Sequence, residues 1–313
     1  MKKRKWLYRS FMVLLIALLA IGGVQSSAAA ATSKTTKIKY LGKTYTAPVT
    51  AKRIVITGSL ETMEDALVLG VKPAGGITVG GKFPDMFKKI TGSTVSIGEK
   101  AQPNMEAIVK LKPDVILAST KFPPDVINKL QKIAPTIPVS HISTDWEANL
   151  RLLATLTGKK QQAESIIKSY KTQLATAKKK LGTKLKGKKV VVIRIRNGNI
   201  MIYHKDVFFN STLYRDLGLT VPNEIKKAQT QEMISLEKFS AMNPDYIFVQ
   251  FAKDENKSQP EALKQLQKNP IWKNIKAVKN NKVFVNVVDP LAQGGTAWSK
   301  TNFLKAAVPM LSK

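Results

Sequence analysis

Two segments of this chain carry the same pattern, and that repeat limits the possible folds more than any other feature. In residues 104–117 and 235–248, Glu106 and Glu237 precede a Pro-Asp pair at the same spacing, and a β-rich apolar run follows. Because the residue before a proline disfavours helix, each copy predicts a short helix, a turn and a buried strand. The glutamates lie 131 residues apart, a separation typical of two domains rather than of a solenoid. The chain therefore predicts two similar lobes.

A second buried strand is predicted before each copy, at Arg53–Thr57 and at Lys189–Arg196. Short apolar strands that alternate with helical stretches are typical of parallel sheets covered by helices. The predicted class is therefore α/β: two similar α/β lobes with central parallel sheets, joined by a single long α-helix, with a ligand cleft between the lobes.

The segment that joins the lobes has apolar residues at helical spacing from Asp145 to Leu181. Gly158 interrupts it, so a shorter helix is expected before a longer one. A helix of about 25 residues spans about 37 Å, which is long enough for a stiff connector that restricts the lobes to small rocking movements. The predicted boundaries are a first lobe at 32–147, a connecting helix at 148–185 and a second lobe at 186–313.

Residues 1–31 have the three regions of a secretory signal peptide. A basic segment is followed by an apolar run at Ser10–Val24, which is short for a membrane span, and then by alanines that offer cleavage sites. Within this run, Leu18–Gly23 is similar to a lipoprotein lipobox, but Ile21 stands where the lipidated cysteine belongs. We therefore predict cleavage, export without a lipid anchor, and a location at the surface or wall of a Gram-positive bacterium.

The charge balance and the rare residues exclude several classes of function. The chain carries 51 Lys and Arg against 21 Asp and Glu, a net charge of +30, and removal of residues 1–31 leaves +25. Such a charge attracts polyanions, including an anionic cell wall, but the chain has no nucleic-acid-binding motif. With no cysteine and two histidines, it lacks the residues for a thiolate or multi-histidine metal site. It also lacks common hydrolase motifs, so we predict a binding protein and not an enzyme.

Arg194 and Arg196 alternate with isoleucines near the end of a predicted strand, so both guanidinium groups should point to one face. Two arginines on a buried strand are costly to desolvate unless an anion meets them. Two interpretations stay open: the arginines pair with acidic side chains of the chain, or they form an anion site. We favour the anion site, and we expect replacement of both by alanine to weaken ligand binding strongly with little effect on folding.

Seven longer segments match one known family: GKFPDMF (Gly81–Phe87), ILASTKFP (Ile116–Pro123), IPVSHIS (Ile137–Ser143), VIRIRNGN (Val192–Asn199), FFNSTLY (Phe208–Tyr214), IFVQF (Ile247–Phe251) and DPLAQGGTAWSK (Asp289–Lys300). In these strings the chain resembles the helical-backbone class of substrate-binding proteins for ABC importers. Within that class it is similar to the Feu-type ferric-catecholate binding proteins, which bind iron(III)-bacillibactin, enterobactin and related triscatecholates. The resemblance covers nearly all of residues 37–313.

The resemblance implies a ligand and a set of contacts. A triscatecholate surrounds Fe³⁺ with six phenolate oxygens and carries a charge of −3, so the protein needs cations rather than metal ligands, and we expect no resident cofactor. The residues that match the family's ligand contacts are Lys100, Lys121, Arg194, Arg196 and Gln231. Asn197 stands where a relative has glutamine, and Gln229 where it has a further lysine, which weakens the charge match.

The resemblance also implies how the ligand is delivered. Glu106 and Glu237, one in each lobe, match residues that contact arginines of the two permease subunits of an ABC importer. We therefore expect an extracytoplasmic monomer that captures a ferric triscatecholate siderophore and delivers it to the permease dimer for iron uptake. The alternatives are a binding protein for another iron chelate, such as a hydroxamate siderophore or haem, or a cationic exported protein that binds wall polyanions.

Overall fold

The first lobe is built on a six-stranded sheet in the computed structural model, which describes residues 34–312. The strands of this sheet are β3 Ile54–Thr57, β4 Gly75–Thr78, β5 Val95–Glu99, β6 Gln102–Pro103, β7 Val115–Ser119 and β8 Thr136–Val139, and they are preceded in the chain by β1 Thr35–Tyr40 and β2 Lys43–Pro48. Its helices are α1 Leu60–Leu69, α2 Lys88–Thr91, α3 Met105–Lys110 and α4 Pro124–Gln131. The strand order is β6-β5-β4-β3-β7-β8, with all neighbours parallel except β5 and β6, and β1 and β2 form a separate hairpin.

Two consecutive helices join the lobes, α5 Trp146–Leu156 and α6 Lys160–Leu181. Gly158 lies between them with φ 71°, a left-handed conformation that ends the shorter helix, so the predicted interruption is confirmed. The longer helix has 22 residues where the sequence predicted about 25. It buries Ile167 and Tyr170, which belong to the predicted apolar stripe.

The second lobe is built on a five-stranded mixed sheet. Its elements are β9 Val190–Arg196, β10 Asn199–Tyr203, α7 Asn223–Lys227, β11 Gln231–Met233, α8 Leu236–Met242, β12 Tyr246–Phe251, α9 Ala262–Lys268, α10 Pro270–Lys273, α11 Lys276–Lys279 and β13 Val283–Val285. The strand order is β11-β10-β9-β12-β13. Strand β12 pairs in parallel with β9 and β13, whereas β10 pairs antiparallel with both β9 and β11. The sequence predicted a parallel sheet. The difference arises at Asn197-Gly198, where both residues have positive φ and form a tight hairpin turn.

The two repeat copies fold alike, as predicted. Asn104 and Ser235 cap the short helices α3 and α8 by accepting hydrogen bonds from backbone N–H groups of the first turn. The aspartate of each Pro-Asp pair then holds the neighbouring strand: Asp114 accepts from the backbone N of Arg53 at 2.8 Å, and Asp245 from that of Lys189 at 2.9 Å. The pattern therefore has a structural reason, because it fixes the start of the central strand in each lobe.

The last helix, α12 Ala297–Leu311, packs against α1, α5 and α6 and so links the end of the chain to the first lobe. The buried carboxylate of Glu64 in α1 accepts hydrogen bonds from the backbone N of Gln293, from Thr296 Oγ1 and from Ser299 Oγ. Burial raises the pKa of Glu64 to about 7. Thr35–Lys313 form one compact unit, and the domain boundaries at 32–147, 148–185 and 186–313 stay a prediction.

The predicted signal peptide at residues 1–31 lies outside the described residues. Within residues 34–312, every helix is too short or too polar to span a bilayer.

Candidate functional site

The predicted basic residues meet at the carboxyl ends of the central strands. Lys100 follows β5 directly, Lys121 lies two residues after β7, and Arg194 and Arg196 lie at the end of β9. The carboxyl ends of the strands are where open α/β sheets bind ligands. All four side chains line one cavity of about 70 Å³, to which both lobes contribute.

Glu255 holds the two arginines of the second lobe. One carboxylate oxygen accepts a hydrogen bond from Nε of Arg194 at 2.7 Å, and the other accepts one from Nη2 of Arg196 at 2.8 Å. The side chain of Arg194 is 3% exposed and that of Glu255 is 13% exposed, so water screens this ion pair weakly. Pairing with an acid of the chain is therefore observed. Removal of the arginines would leave this shielded carboxylate without a counter-charge, so we replace the expectation of little effect on folding with an expected loss of stability.

Some donors of this cluster remain unused. Arg196 Nη1 donates to Gln231 Oε1 at 3.0 Å, whereas Arg194 Nη2 and the Tyr203 hydroxyl, which lie near one another, form no hydrogen bond of good geometry among the described residues. The Arg194 guanidinium also lies 5.6 Å from the ring centroid of Phe208. Unpartnered buried polar groups are uncommon, so two of them in one cavity indicate a place for ligand oxygens.

The lysines of the first lobe have a different environment. Lys121 Nζ lies 2.7 Å from Glu61 Oε1, and Lys100 Nζ donates to Gln293 Oε1 at 3.2 Å. Burial lowers the pKa of Lys100 to about 8, with Glu61 opposing this shift and Lys121 adding to it. Burial alone raises the pKa of Glu61, but the charges of Lys121 and Lys100 outweigh it, and the pKa lies at about 2. The four cations and the carboxylates of Glu61 and Glu255 leave the cluster with a net charge of about +2.

Two predicted ligand contacts lie away from this cavity. Asn197 is in the β9–β10 turn and lines a separate groove on the second lobe. Gln229 is exposed, and its backbone N donates to Glu232 at 3.3 Å. Gln231, in contrast, lines the cavity. Ligand contact by any of the seven residues stays a prediction.

Sequence reasoning missed several residues of the cavity: Glu61, His141, Tyr203, Phe208, Thr230 and Gln293. It also missed Glu255, which binds the arginines. For Phe208 a signal existed, because it opens the string FFNSTLY that carried the resemblance. For the two glutamates we find no comparable signal, since each is about 60 residues away in sequence from the cation it binds.

The two glutamates predicted to contact a permease occupy matching places in the lobes. Glu106 lies in the first turn of α3, and Glu237 lies in the first turn of α8. Both are exposed, and among the described residues neither forms an ion pair. Their carboxylates are therefore accessible to a partner. Also within residues 34–312, no three His, Cys, Asp or Glu side chains are grouped so that they could hold a metal ion.

The chain is similar to known proteins over nearly its whole length. The sequence model described as periplasmic binding protein matches residues 55–286. The iron-uptake system-binding protein of Bacillus subtilis (strain 168) is 55% identical over 310 residues, which cover 97% of this chain and 98% of that protein.

Solved structures show the same similarity. The triscatecholate siderophore binding protein FeuA from Bacillus subtilis, complexed with ferri-bacillibactin, matches with a TM-score of 0.86 and 59% identity, covering 88% of this chain and 98% of that chain. Staphylococcus aureus SirA, complexed with staphyloferrin B, matches with a TM-score of 0.75 and 28% identity, covering 88% of this chain and 98% of that chain.

Proposed function

The chain belongs to the periplasmic binding protein family, and on this premise we propose that it is the extracytoplasmic substrate-binding protein of an ABC importer for iron. Its proposed ligand is an anionic ferric triscatecholate siderophore. The observation that carries this proposal is one cavity in which four cations and two aromatic side chains meet: Lys100, Lys121, Arg194, Arg196, Tyr203 and Phe208. The similarity to a protein complexed with ferri-bacillibactin supports the choice of ligand.

The chemistry of the cavity suits such a ligand. Lysine and arginine side chains attract the −3 charge, and their cationic groups can lie over the faces of catechol rings, a cation–π contact worth about 0.5–2 kcal/mol. The unpartnered donors of Arg194 and Tyr203 match the catecholate oxygens, which are acceptors. The ligand itself saturates the iron, so the proposed function requires no resident cofactor.

The size of the cavity implies a movement. A drug-sized ligand needs a pocket of about 300–1,000 Å³, and the space between these side chains is about 70 Å³. Binding therefore requires the lobes to separate or the side chains that line the cavity to turn outward. The 22-residue helix α6 limits the lobes to rocking, which still widens the cleft at its mouth.

One titration tests the ligand class. Tryptophan fluorescence of the purified protein is measured against ferric triscatecholate, ferrioxamine and haem at physiological salt. We expect saturable quenching at one ferric triscatecholate per chain and no saturation with ferrioxamine, whose charge is not negative. Tighter binding of ferrioxamine or haem would replace the triscatecholate with one of the alternative iron chelates.

We further propose that Glu106 and Glu237 register the cleft over a permease dimer. Exposed ion pairs contribute about 0.2–1 kcal/mol each, so their role is orientation rather than affinity. Glu106→Arg with Glu237→Arg should abolish iron uptake in cells and leave siderophore binding in vitro unchanged. Glu164→Arg with Glu261→Arg, which reverses two other exposed carboxylates, is the matched control and should transport normally. Parental uptake by the first variant contradicts the docking role.

Retention at the cell surface has a proposed electrostatic cause. Lys178–Lys189 contains seven lysines and no acid, and most of these lysines are exposed. Many weak contacts of this kind hold a protein on an anionic wall, and about 1 M salt, which shortens the Debye length to about 3 Å, weakens them. A wash with such salt should release the protein from cells. Release by detergent and not by salt indicates an uncleaved signal anchor instead.

A further inference from the structure

The cavity that collects four cations also contains a carboxylate. Glu61 lies in the first turn of α1, its side chain is 8% exposed, and it lines the same cavity as Lys100 and Lys121. Its Oε1 accepts a hydrogen bond from Lys121 Nζ at 2.7 Å, and its Oε2 accepts one from Ser59 Oγ at 3.3 Å. A negative charge that faces an anion site opposes the ligand, so its presence there needs a physical reason.

The carboxylate of the second lobe has a different position. Glu255 binds Nε of Arg194 and Nη2 of Arg196, and it is not among the described residues that line the cavity. It therefore supports the guanidinium groups and leaves the second terminal nitrogen of Arg194 without a partner. Glu61, in contrast, lines the cavity and pairs there with the amino group of Lys121, which a ligand would need.

We propose that Glu61 is an internal counter-ion that a ligand must outcompete for Lys121, and that it makes the cleft selective for highly charged anions. This inference rests on the proposed function. A ligand of charge −3 makes several charge-assisted contacts at once and can replace the Glu61–Lys121 pair. A small anion makes fewer contacts and still meets the repulsion of Glu61, so it binds poorly.

Glu61 also stabilises the unliganded cleft. Without a nearby negative charge, Lys121 and the half-buried Lys100 would face each other and the two arginines of the second lobe with only Glu255 to offset them. Like charges in a partly dehydrated site destabilise a fold. The same carboxylate thus increases the stability of the free protein and decreases the affinity for anions.

This dual role predicts opposite signs for one substitution. Glu61→Gln keeps the size of the side chain and removes its charge. We expect it to lower the midpoint of chemical unfolding, to tighten binding of ferric triscatecholate about tenfold, which is about 1.4 kcal/mol, and to make that binding more dependent on salt. We also expect inorganic phosphate at millimolar concentration to compete with the siderophore in Glu61→Gln and not in the parent.

Two further variants make the result interpretable. Glu164→Gln changes the net charge by the same amount but removes an exposed ion pair with Arg151, so it should bind like the parent. Glu61→Gln with Lys121→Gln removes both partners, and we expect it to recover most of the stability that Glu61→Gln loses and to lose the gain in affinity.

The outcomes separate this inference from the proposed function. Binding by Glu61→Gln that is equal to or weaker than that of the parent overturns the counter-ion role and makes Glu61 a structural residue. An effect of similar size in Glu164→Gln also overturns it, because net charge alone would then explain the gain. If the parent binds no ferric triscatecholate, it is the proposed function that fails. Direct titration of the parent and of Glu61→Gln with inorganic phosphate, together with the unfolding midpoints, then decides whether Glu61 excludes small anions.

Discussion

The two lobes share a repeat but hold their cations in different ways. In the second lobe, Arg194 and Arg196 project from a buried strand, and Glu255 fixes both guanidinium groups. In the first lobe, Lys100 and Lys121 follow the ends of strands, and Lys121 is 40% exposed. A side chain on a strand with a fixed partner loses little rotamer freedom when a ligand arrives, whereas a lysine beyond a strand end loses more.

Because of this difference, the two lobes should contribute differently to ligand binding. The second lobe presents a preorganised pair of planar donors, and preorganisation reduces the entropy lost on binding. The first lobe presents adjustable point charges, one of which has a depressed pKa. We therefore expect the second lobe to dominate affinity and the first lobe to make binding sensitive to pH and selective against small anions.

The largest effect should follow from removal of the arginines. Each charge-assisted contact is worth about 1.5–3 kcal/mol, so Arg194→Ala with Arg196→Ala should weaken ferric triscatecholate binding by about 100-fold or more in a fluorescence titration. The same variant should unfold at lower denaturant, because Glu255 loses both partners.

Adding Glu255→Gln to that variant separates the two effects. It should recover stability without recovering binding, because the stranded charge is removed and the ligand donors are still absent. Lys226→Ala with Lys227→Ala, on the exposed face of α7, is the control and should change neither. If Arg194→Ala with Arg196→Ala binds ferric triscatecholate within twofold of the parent, the ligand lies elsewhere than in this cavity.

A moderate effect should come from titration of Lys100. Because its pKa in the free protein is about 8, Lys100 is charged below that pH and loses its proton above it. A trianion favours the charged form, so affinity should be constant up to about pH 8 and then fall by as much as tenfold per pH unit. Lys100→Met should bind more weakly at pH 7 and show a flatter profile. A parental profile that stays level to pH 9.5 contradicts titration of Lys100 near pH 8, and parental affinity of Lys100→Met at pH 7 excludes Lys100 from the ligand contacts.

The smallest effect should be a loss of stability when the aspartate of either Pro-Asp pair is replaced, and it should be similar in the two lobes because both carry the repeat. Asp114→Asn and Asp245→Asn each weaken hydrogen bonds to the start of a central strand, and each should cost about 1–2 kcal/mol of unfolding free energy at pH 7 without changing affinity.

The stability difference between the parent and Asp245→Asn should also depend on pH. Burial alone raises the pKa of Asp245, but the hydrogen bonds from the Lys276 side chain and the Lys189 backbone, with the charges of Lys276 and Lys188, outweigh it and lower the pKa. Its stabilisation is therefore present above the unfolded pKa of about 3.9 and lost as pH falls below it, so the difference between parent and variant should shrink at pH 3. A difference that is unchanged at pH 3 contradicts a role for the Asp245 charge.

Local patterns were enough for much of the fold and for part of the site. The apolar periodicity and the Pro-Asp repeat predicted the buried strands β7 and β12 and the helices before them, because such patterns act over a few residues. They also placed Arg194 near the end of a strand, whereas Lys100 and Lys121 were identified through the family resemblance; strand ends meet at one edge of an α/β sheet. The antiparallel strand β10 was missed although Asn197-Gly198 is a known hairpin signal.

By itself, the sequence determined two α/β lobes, a long connecting helix, a surplus of positive charge and the identity of the basic residues. The tertiary structure alone decided which carboxylates meet those residues: Glu61 for Lys121, and Glu255 for both arginines. It also decided that Asn197 faces a separate groove and that α12 packs on the first lobe. The physical reason is range. Secondary structure depends on neighbours a few residues apart, whereas an ion pair between residues about 60 positions apart depends on strand order and register, which the whole chain determines.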